Sequence, residues 1–317
     1  MIRELLGCWV VTVLVGCGVE PEPAEGGDEL GGDTESETGT DSETSTSTSS
    51  GSESSGESTE SETSAEAETS SETDTGEGCP VWCPPPGTTW QWQLVGALDA
   101  SFEVEAYDID LFDNEAQTVA ELQAQGRAVI CYFSAGSFED WRPDADAFPP
   151  AALGEPLDGW PGERWLDVRD EAVRDIMRAR LDLAVERGCD AVEPDNVDGY
   201  INDSGFPLTA SDQLDYNRFL AEEAHARDLS VGLKNDLEQI PELVDDFDWA
   251  LDEECLAWDE CALLQPFLDA GKAVLHVEYV DEPRQGQAAA DALCPQVPAG
   301  FSSLIKTWDL DPWVIPC

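Results

Sequence analysis

Positive charge is what this chain most lacks. Fifteen lysines and arginines stand against 69 aspartates and glutamates in 317 residues, a formal net charge of −54. Such a balance excludes nucleic acid and anionic membrane as electrostatic partners. Histidine is almost as scarce. With only His225 and His276 available, no Cys/His spacing matches a zinc site, and neither a metal nor any other cofactor is expected. A glycine-rich phosphate loop after the first strand-like run is missing, which weakens the case for an open doubly wound sheet. The apolar run from Leu5 to Leu14 falls well short of the roughly 20 residues a membrane span needs.

What is there divides into three parts. Residues 1–17 have a short charged start at Arg3, the apolar run, and then "LVGC" ending at Cys17, the pattern of an export signal. That ending resembles a bacterial lipobox, which implies cleavage before Cys17 and lipidation of it; a plain signal peptide cut elsewhere is the alternative. The implied location is outside the cell, anchored at the surface or outer membrane through lipid, or secreted. Residues 18–78 hold Ser, Thr, Glu and Gly with almost nothing apolar, too little to offset the entropy of folding, so they read as a disordered spacer. Residues 1–78 take 20 acids and one base, leaving 49 acids and 14 bases in residues 79–317, a net charge of −35. That acidity attracts polycations, or it serves solubility alone. Eight cysteines remain after Cys8 and Cys17, an even count that suits an exported disulfide-bonded domain. Cys255/Cys261 make a plausible short loop, Cys79/Cys83 and Cys294/Cys317 are further candidates, and Cys131 and Cys189 read as buried thiols.

Residues 79–317 are near the roughly 250 of one (β/α)₈ barrel. Strand-like runs occur at 89–95, 102–112, 128–136, 190–195, 230–236, 247–254, 273–279 and 301–307, mostly with helical patterns between them. Residues 170–188 place apolar side chains at helical spacing before a glycine stop, and 211–228 open on a serine cap. Eight strands alternating with helices predict a parallel sheet closed into a TIM-type barrel, acting as a monomer. A doubly wound open sheet is the alternative.

Charge gathers at the C-terminal ends of these runs, the rim that carries the active site in such a barrel. The densest case is "DAVEPDNVDGY", with Asp190, Glu193, Asp195 and Asp198 within nine positions. Like charges so close oppose each other's ionisation, so they are solvated, hold a cation, or do chemistry. A calcium loop fails on spacing, because Val197 falls where a ligand is required. Two carboxyls facing each other across a scissile bond suit glycoside hydrolysis, and strand ends four and six bring Asp195 and Glu253 within plausible reach. Trp90, Trp92, Trp141, Trp160, Trp165 and Tyr200, near strand ends, offer flat apolar faces for sugar rings.

The segments "WQWQL", "VEAYDIDLFD", "VICYFSAGSFEDWRPD", "GWPGERWLDVR", "EPDNVDGY" and "DFDWALDEEC" together resemble glycoside hydrolase family 114, the endo-α-1,4-polygalactosaminidases, over Trp90 to Tyr279. The resemblance implies a (β/α)₈-type barrel and a retaining cut of α-1,4-linked, partly N-acetylated galactosamine polymers outside the cell. It puts the catalytic aspartate of the "PDN" motif at Asp195, as nucleophile, and the catalytic glutamate at Glu253, as general acid/base. The usual "NEQC" here reads "DEEC", so Asp252 and Glu254 replace amides, and these acidic neighbours are expected to oppose ionisation of Glu253. Substrate contacts are expected from Asp108, Asp110, Tyr132, Glu193, Asn196, Asp198, Tyr200, Lys234, Asn235, Asp252 and Glu278. A different α-linked sugar, or a non-catalytic carbohydrate-binding lipoprotein, are the alternatives.

Overall fold

The computed structural model describes residues 82–317. The export signal, the Cys17 lipidation site, the 18–78 spacer and Cys79 lie outside the described residues. Twelve strands follow in chain order: β1 (Trp90–Gln93), β2 (Ala106–Asp110), β3 (Ala128–Ser134), β4 (Ser137–Glu139), β5 (Leu153–Pro156), β6 (Glu163–Leu166), β7 (Ala191–Asp195), β8 (Ser230–Lys234), β9 (Trp249–Glu253), β10 (Val274–Val280), β11 (Phe301–Thr307) and β12 (Ile315–Pro316). The α-helices are α1 (Ala116–Gln123), α2 (Glu171–Arg187), α3 (Ala210–His225), α4 (Ile240–Leu243), α5 (Cys255–Trp258), α6 (Gln265–Asp269) and α7 (Gly286–Leu293). Strands β1, β2, β3, β7, β8, β9, β10 and β11 pair in that order, all parallel, each within one of the eight expected runs except that β10 extends one residue past 273–279. This is a curled TIM-type (β/α)₈ sheet.

Side-chain alternation sorts its two faces. Trp90, Trp92, Ala106, Ile130, Ala191, Trp249, Leu251, Leu275, Val277 and Leu304 form the inner cluster. Tyr107, Ile109, Val129, Phe133, Val192, Val231 and Leu233 point outward onto helix residues such as Val119, Met177, Leu181 and Leu220. The Trp249 indole fits inside only because position 232 is glycine; a Cβ there would lie 2.4 Å from the ring.

Four features depart from the sequence expectation. No backbone ladder joins β1 to β11 among the described residues; the seam is bridged by single bonds such as Trp90 Nε1 to the Ser302 carbonyl, 2.8 Å. A three-stranded antiparallel sheet, β4–β6–β5, is inserted after β3. Helix α3 is capped by Thr209 in a reciprocal box with Asp212, not by Ser211, which lies inside the helix. Cys131 and Cys189 are not thiols but a disulfide, possible because β3 and β7 are ladder neighbours. The Cys255–Cys261 and Cys294–Cys317 disulfides form as paired in the sequence. Helix α2 also follows it, with Asp170 accepting from Ala172 N and Gly188 at φ 82° closing the end. The Cys131–Cys189 bridge closes a 58-residue separation. Replacing both cysteines by alanine should cost about 2–5 kcal/mol, read as a lowered Tm under oxidising conditions.

Candidate active site

Alternation also decides which polar residues enter the barrel. Asp108, Glu193, Lys234, Glu253 and Tyr279 share the parity of the inner apolar cluster, and their ends converge below and within one cleft. The cleft is lined by Trp92, Tyr132, Trp160, Glu163, Asp195, Asn196, Asp198, Lys234, Asn235, Glu253, Tyr279 and Trp308, among others. Lys234 is its electrostatic centre. The Nζ atom lies 2.9 Å from Asp195 Oδ1, 3.1 Å from Glu253 Oε2 and 3.4 Å from Glu193 Oε1. Burial disfavours the ammonium, but Asp195, Glu253 and Glu193 overcome this and hold it well above the ordinary lysine range. One ammonium touching both rim carboxylates keeps Asp195 Oδ1 and Glu253 Oε2 within about 6 Å of each other, so both carboxyls face one part of the cleft, as two-carboxylate glycoside hydrolysis requires.

Each rim carboxylate is oriented by further donors. Asp195 accepts from Asn196 N at 2.7 Å and Tyr132 Oη at 3.2 Å. Glu253 accepts from Asn235 Nδ2 at 3.2 Å and from the Tyr279 hydroxyl. Burial pushes the Glu253 carboxyl up, but Lys234, Tyr279 and Asn235 outweigh it and leave the group below the usual range. This corrects the expectation of raised ionisation cost from Asp252 and Glu254. Asp252 has the opposite parity and faces outward, while Lys234 is the charge in contact.

The backbone leaves the barrel the same way at three strand ends. Asn196 (φ 61°), Asn235 (φ 50°) and Glu254 (φ 63°) are left-handed and directly follow Asp195, Lys234 and Glu253. Each turns the chain off its strand within one residue and leaves the preceding side chain at the rim. Asparagine enters this region at low cost; glutamate at 254 is the strained member. The first turn has a second lock. The N–H groups of Ala135 and Gly136 both donate to the Asp195 carbonyl, at 2.8 and 3.0 Å. A Cβ at 136 would sit 1.6 Å from the Asn196 carbonyl oxygen. Gly136→Ala should therefore displace the Asp195–Asn196 turn and lower kcat at least about 100-fold, because near-attack geometry is lost over shifts of an ångström; circular dichroism should show the fold retained.

Of the expected site residues, Asp195, Glu253, Tyr132, Asn196, Asp198, Lys234 and Asn235 meet around the cleft. Six do not line it. Asp108 and Glu193 are fully buried beneath it, inside the barrel, within hydrogen-bond reach of each other and with the Lys234 ammonium 3.4 Å from Glu193 Oε1. Burial, partly offset by the hydrogen bond with Glu193 and by Lys234, pushes Asp108 to about 7, and burial with the Asp108 charge pushes Glu193 well above its ordinary value. Two carboxyls so placed cannot both ionise. Asp110 is held by a bidentate Arg142 at 2.9 and 2.7 Å. Tyr200 lies beside Asp236. Glu278 faces outward, accepting from Leu256 N at 2.8 Å and lying 3.1 Å from His276 Nε2. Asp252 is buried on that same outer face.

Tyr279, Glu163 and Trp308 were missed. Tyr279 follows from counting by twos from Leu275 and Val277. Glu163 is on the inserted sheet, receives the Ser137 hydroxyl at 2.6 Å, and is pushed by burial to about 7. Nothing in the sequence placed Trp308. Of the aromatic candidates, Trp92 and Trp160 reach the cleft, while Trp90 and Trp165 are buried in packing.

A TIM-type barrel whose rim sets two oriented carboxylates about one cleft defines a glycoside hydrolase. The chain belongs to glycoside hydrolase family GH114, whose model matches residues 71–317. It is 46% identical to Ega3 of Aspergillus fumigatus, solved in complex with galactosamine, with a TM-score of 0.71 over 74% of this chain and 97% of that one. The glycoside hydrolase domain of PelA from Pseudomonas aeruginosa, at 15% identity and a TM-score of 0.56 over 73% and 98% of the two chains, shares the fold. An uncharacterised protein of Deinococcus radiodurans is 27% identical over 209 residues, 58% of this chain and 67% of its own length.

Proposed function

We propose that this protein hydrolyses α-1,4-linked galactosamine polymers, partly N-acetylated, by a retaining two-carboxylate mechanism outside the cell. The observation that carries the reaction is the Lys234-bridged pair Asp195 and Glu253, two carboxylates set about one point in the cleft. The choice of sugar is supported by the likeness to Ega3 and its bound galactosamine. In the first step Glu253 gives its proton to the glycosidic oxygen, the C1–O bond breaks, and an Asp195 oxygen bonds C1. Esterified Asp195 no longer shares the Lys234 charge, so Lys234 acts on Glu253 with less competition and favours its ionised form. That form is the base for the second step. It takes a proton from water as the oxygen attacks C1, and Asp195 leaves as carboxylate.

Because Glu253 sits below the usual range in the free enzyme, its protonated fraction shrinks as pH rises through that value. The kcat/KM profile should therefore be highest under acidic conditions and fall toward neutrality, an outcome a plot from pH 3.5 to 8 reads directly. The defining assay is release of new reducing ends, with retained anomeric configuration by NMR, from a purified galactosamine polymer. Inversion would contradict the mechanism, and no release from this polymer alongside cleavage of another would contradict the sugar.

The substrate charge gives a further expectation. Ammonium groups on deacetylated polymer meet a domain with a net charge of −35, and salt screens such attraction beyond about 8–10 Å at physiological strength. The kcat/KM for deacetylated polymer should fall as sodium chloride rises while that for fully acetylated polymer stays level. Equal profiles would assign the acidity to solubility. Anchoring through Cys17 is tested by palmitate labelling of the wild type and of Cys17→Ala.

A further inference from the structure

After β11 the chain runs as a strap, residues 308–314, along the seam where β1 and β11 share no ladder. Side chains and isolated backbone groups replace the missing pairing. Leu94 N donates to the Leu310 carbonyl at 3.0 Å, Gln91 Nε2 to the Pro312 carbonyl at 2.8 Å, and Lys306 Nζ to the Asp311 carbonyl at 2.6 Å. Lys306 is unusual among these. It is 0% exposed in a chain rich in acids, yet it forms no ion pair among the described residues, and burial pulls its ammonium down to about 8. A buried ammonium without a contact ion pair is costly unless acceptors compensate it; here they are the strap's Asp311 carbonyl and, more distantly, Gln91 Oε1 at 3.5 Å, with the Asp311 charge also favouring the ammonium. At its far end the strap is tied by the Cys294–Cys317 disulfide and by Cys317 N donating to the Ser303 carbonyl at 2.9 Å.

The strap's first residue faces the cleft. Trp308 is half exposed there, and its ring stacks on Tyr279 with centroids 4.1 Å apart and planes 16° from parallel. Tyr279 in turn donates its hydroxyl to Glu253. One face of the Trp308 indole is thus occupied by Tyr279, which fixes the plane it presents to a ligand. Leu310, two residues on, is left-handed at φ 48°, a conformation a leucine keeps only when its surroundings enforce it.

We propose that Lys306 is a positioning residue that latches the 308–314 strap across the open seam, and that the strap thereby holds Trp308 as a stacking wall for a sugar ring beside the catalytic pair. The second half rests on the carbohydrate reading above; the first half does not. Neutral apolar replacement of Lys306 removes the Asp311 bond without touching the cleft, so the strap loosens while Asp195, Lys234 and Glu253 stay in place.

The test uses the full chain as wild type, Lys306→Met, Trp308→Ala and the double variant. Hydrogen exchange without ligand should accelerate roughly 10-fold or more at strap amides in Lys306→Met while β7 and β9 amides stay protected. On deacetylated galactosamine polymer, Trp308→Ala should raise KM by about 10-fold, the equivalent of one stacked ring. Lys306→Met should raise KM several-fold with kcat changed less than about 2-fold, and in the Trp308→Ala background it should raise KM no further. Unchanged strap exchange overturns the latch, and KM effects that multiply in the double variant overturn the link to Trp308. If no variant, wild type included, cleaves the polymer, the carbohydrate reading fails while exchange still decides the latch. Lys306→Leu, neutral and too short to reach the Asp311 carbonyl, takes its place if Lys306→Met does not fold; protected strap amides there overturn the latch equally.

Discussion

Asp195→Asn should lower turnover on polymer by about 10⁴-fold or more, the scale expected when a covalent nucleophile is removed, with the fold retained. With its oxygen in the Oδ1 place the amide can still accept from Asn196 N, and its NH2 group, in the Oδ2 place, can donate to the Tyr132 oxygen, so orientation survives; but a neutral amide cannot form the glycosyl ester or complement the developing positive charge at C1. Glu253→Gln should cost about 10²–10⁴-fold on polymer, the scale of general acid/base catalysis. The two losses differ in kind. An aryl galactosaminide with a phenolate good enough to leave without protonation should largely restore the first step in Glu253→Gln, with a burst of phenolate followed by slow release of the trapped glycosyl-enzyme. The same substrate should not rescue Asp195→Asn. The reverse pattern would exchange the two roles, and rescue of both would remove covalent catalysis from the scheme. Thermal melts of both variants are the control, because each leaves Lys234 with one fewer carboxylate at 2.9 or 3.1 Å.

Much of this arrangement was legible in the sequence, and the misses have one main physical cause. The eight barrel strands announced themselves as short β-rich runs, and the rim acids as charge at their ends. What charge at a strand end does not reveal is parity. Asp252 and Glu253 are adjacent, yet one packs outside the barrel beside His276 and the other enters the cleft. The same error chose Glu278 over Tyr279. Alternation anchored on Leu251, Leu275 and Val277 would have separated both pairs. Depth was the second obstacle. Asp108 and Glu193 have the correct parity but sit one layer below the rim, and a short apolar strand gives no measure of where the barrel floor lies. Cys131 and Cys189 illustrate a third. Each reads as a strand thiol until β3 and β7 are known to be neighbours despite the inserted sheet between them in sequence. The strap and Trp308 had no signal, since neither periodicity nor charge marks residues 308–314.

The same buried acids should make the folded domain more stable near pH 5 than at pH 8, with Tm lower by roughly 5–10 °C at the higher pH. Burial is the main cause in each case. It pushes Asp108 to about 7, Glu163 to about 7, Asp198 to about 6 and Asp236 to about 8, with the Asp195 charge adding to it at Asp198 and the Asp198 charge at Asp236. In the unfolded chain these carboxyls return to values near 4. Between the two values the folded state binds protons that the unfolded chain has already released, so unfolding gains stability from each rise in pH. Their contribution is complete below about pH 4 and is lost as pH climbs through 6 to 8. Carboxyls lowered by their partners act in the other direction. Arg227 and Arg178 lower Glu223, Thr209 lowers Asp212, and Lys234 with Tyr279 lowers Glu253 against its burial, so their stabilisation is lost only as pH falls below about 4.5. The maximum must lie between these windows. Neighbouring acids titrate together, so the individual shifts do not add, and a net loss of a few kcal/mol from pH 5 to 8 is the expected scale. Asp236→Asn isolates one contributor. The amide oxygen can still accept from Asn217 Nδ2, now at 2.8 Å from Asp236 Oδ2, and asparagine tolerates the left-handed backbone at φ 44°. It should raise Tm at pH 8, leave it nearly unchanged at pH 5, and flatten the slope between them. A wild-type Tm that is level or rising from pH 5 to 8 would mean that these carboxyls ionise in place, with water or ions reaching them inside the barrel.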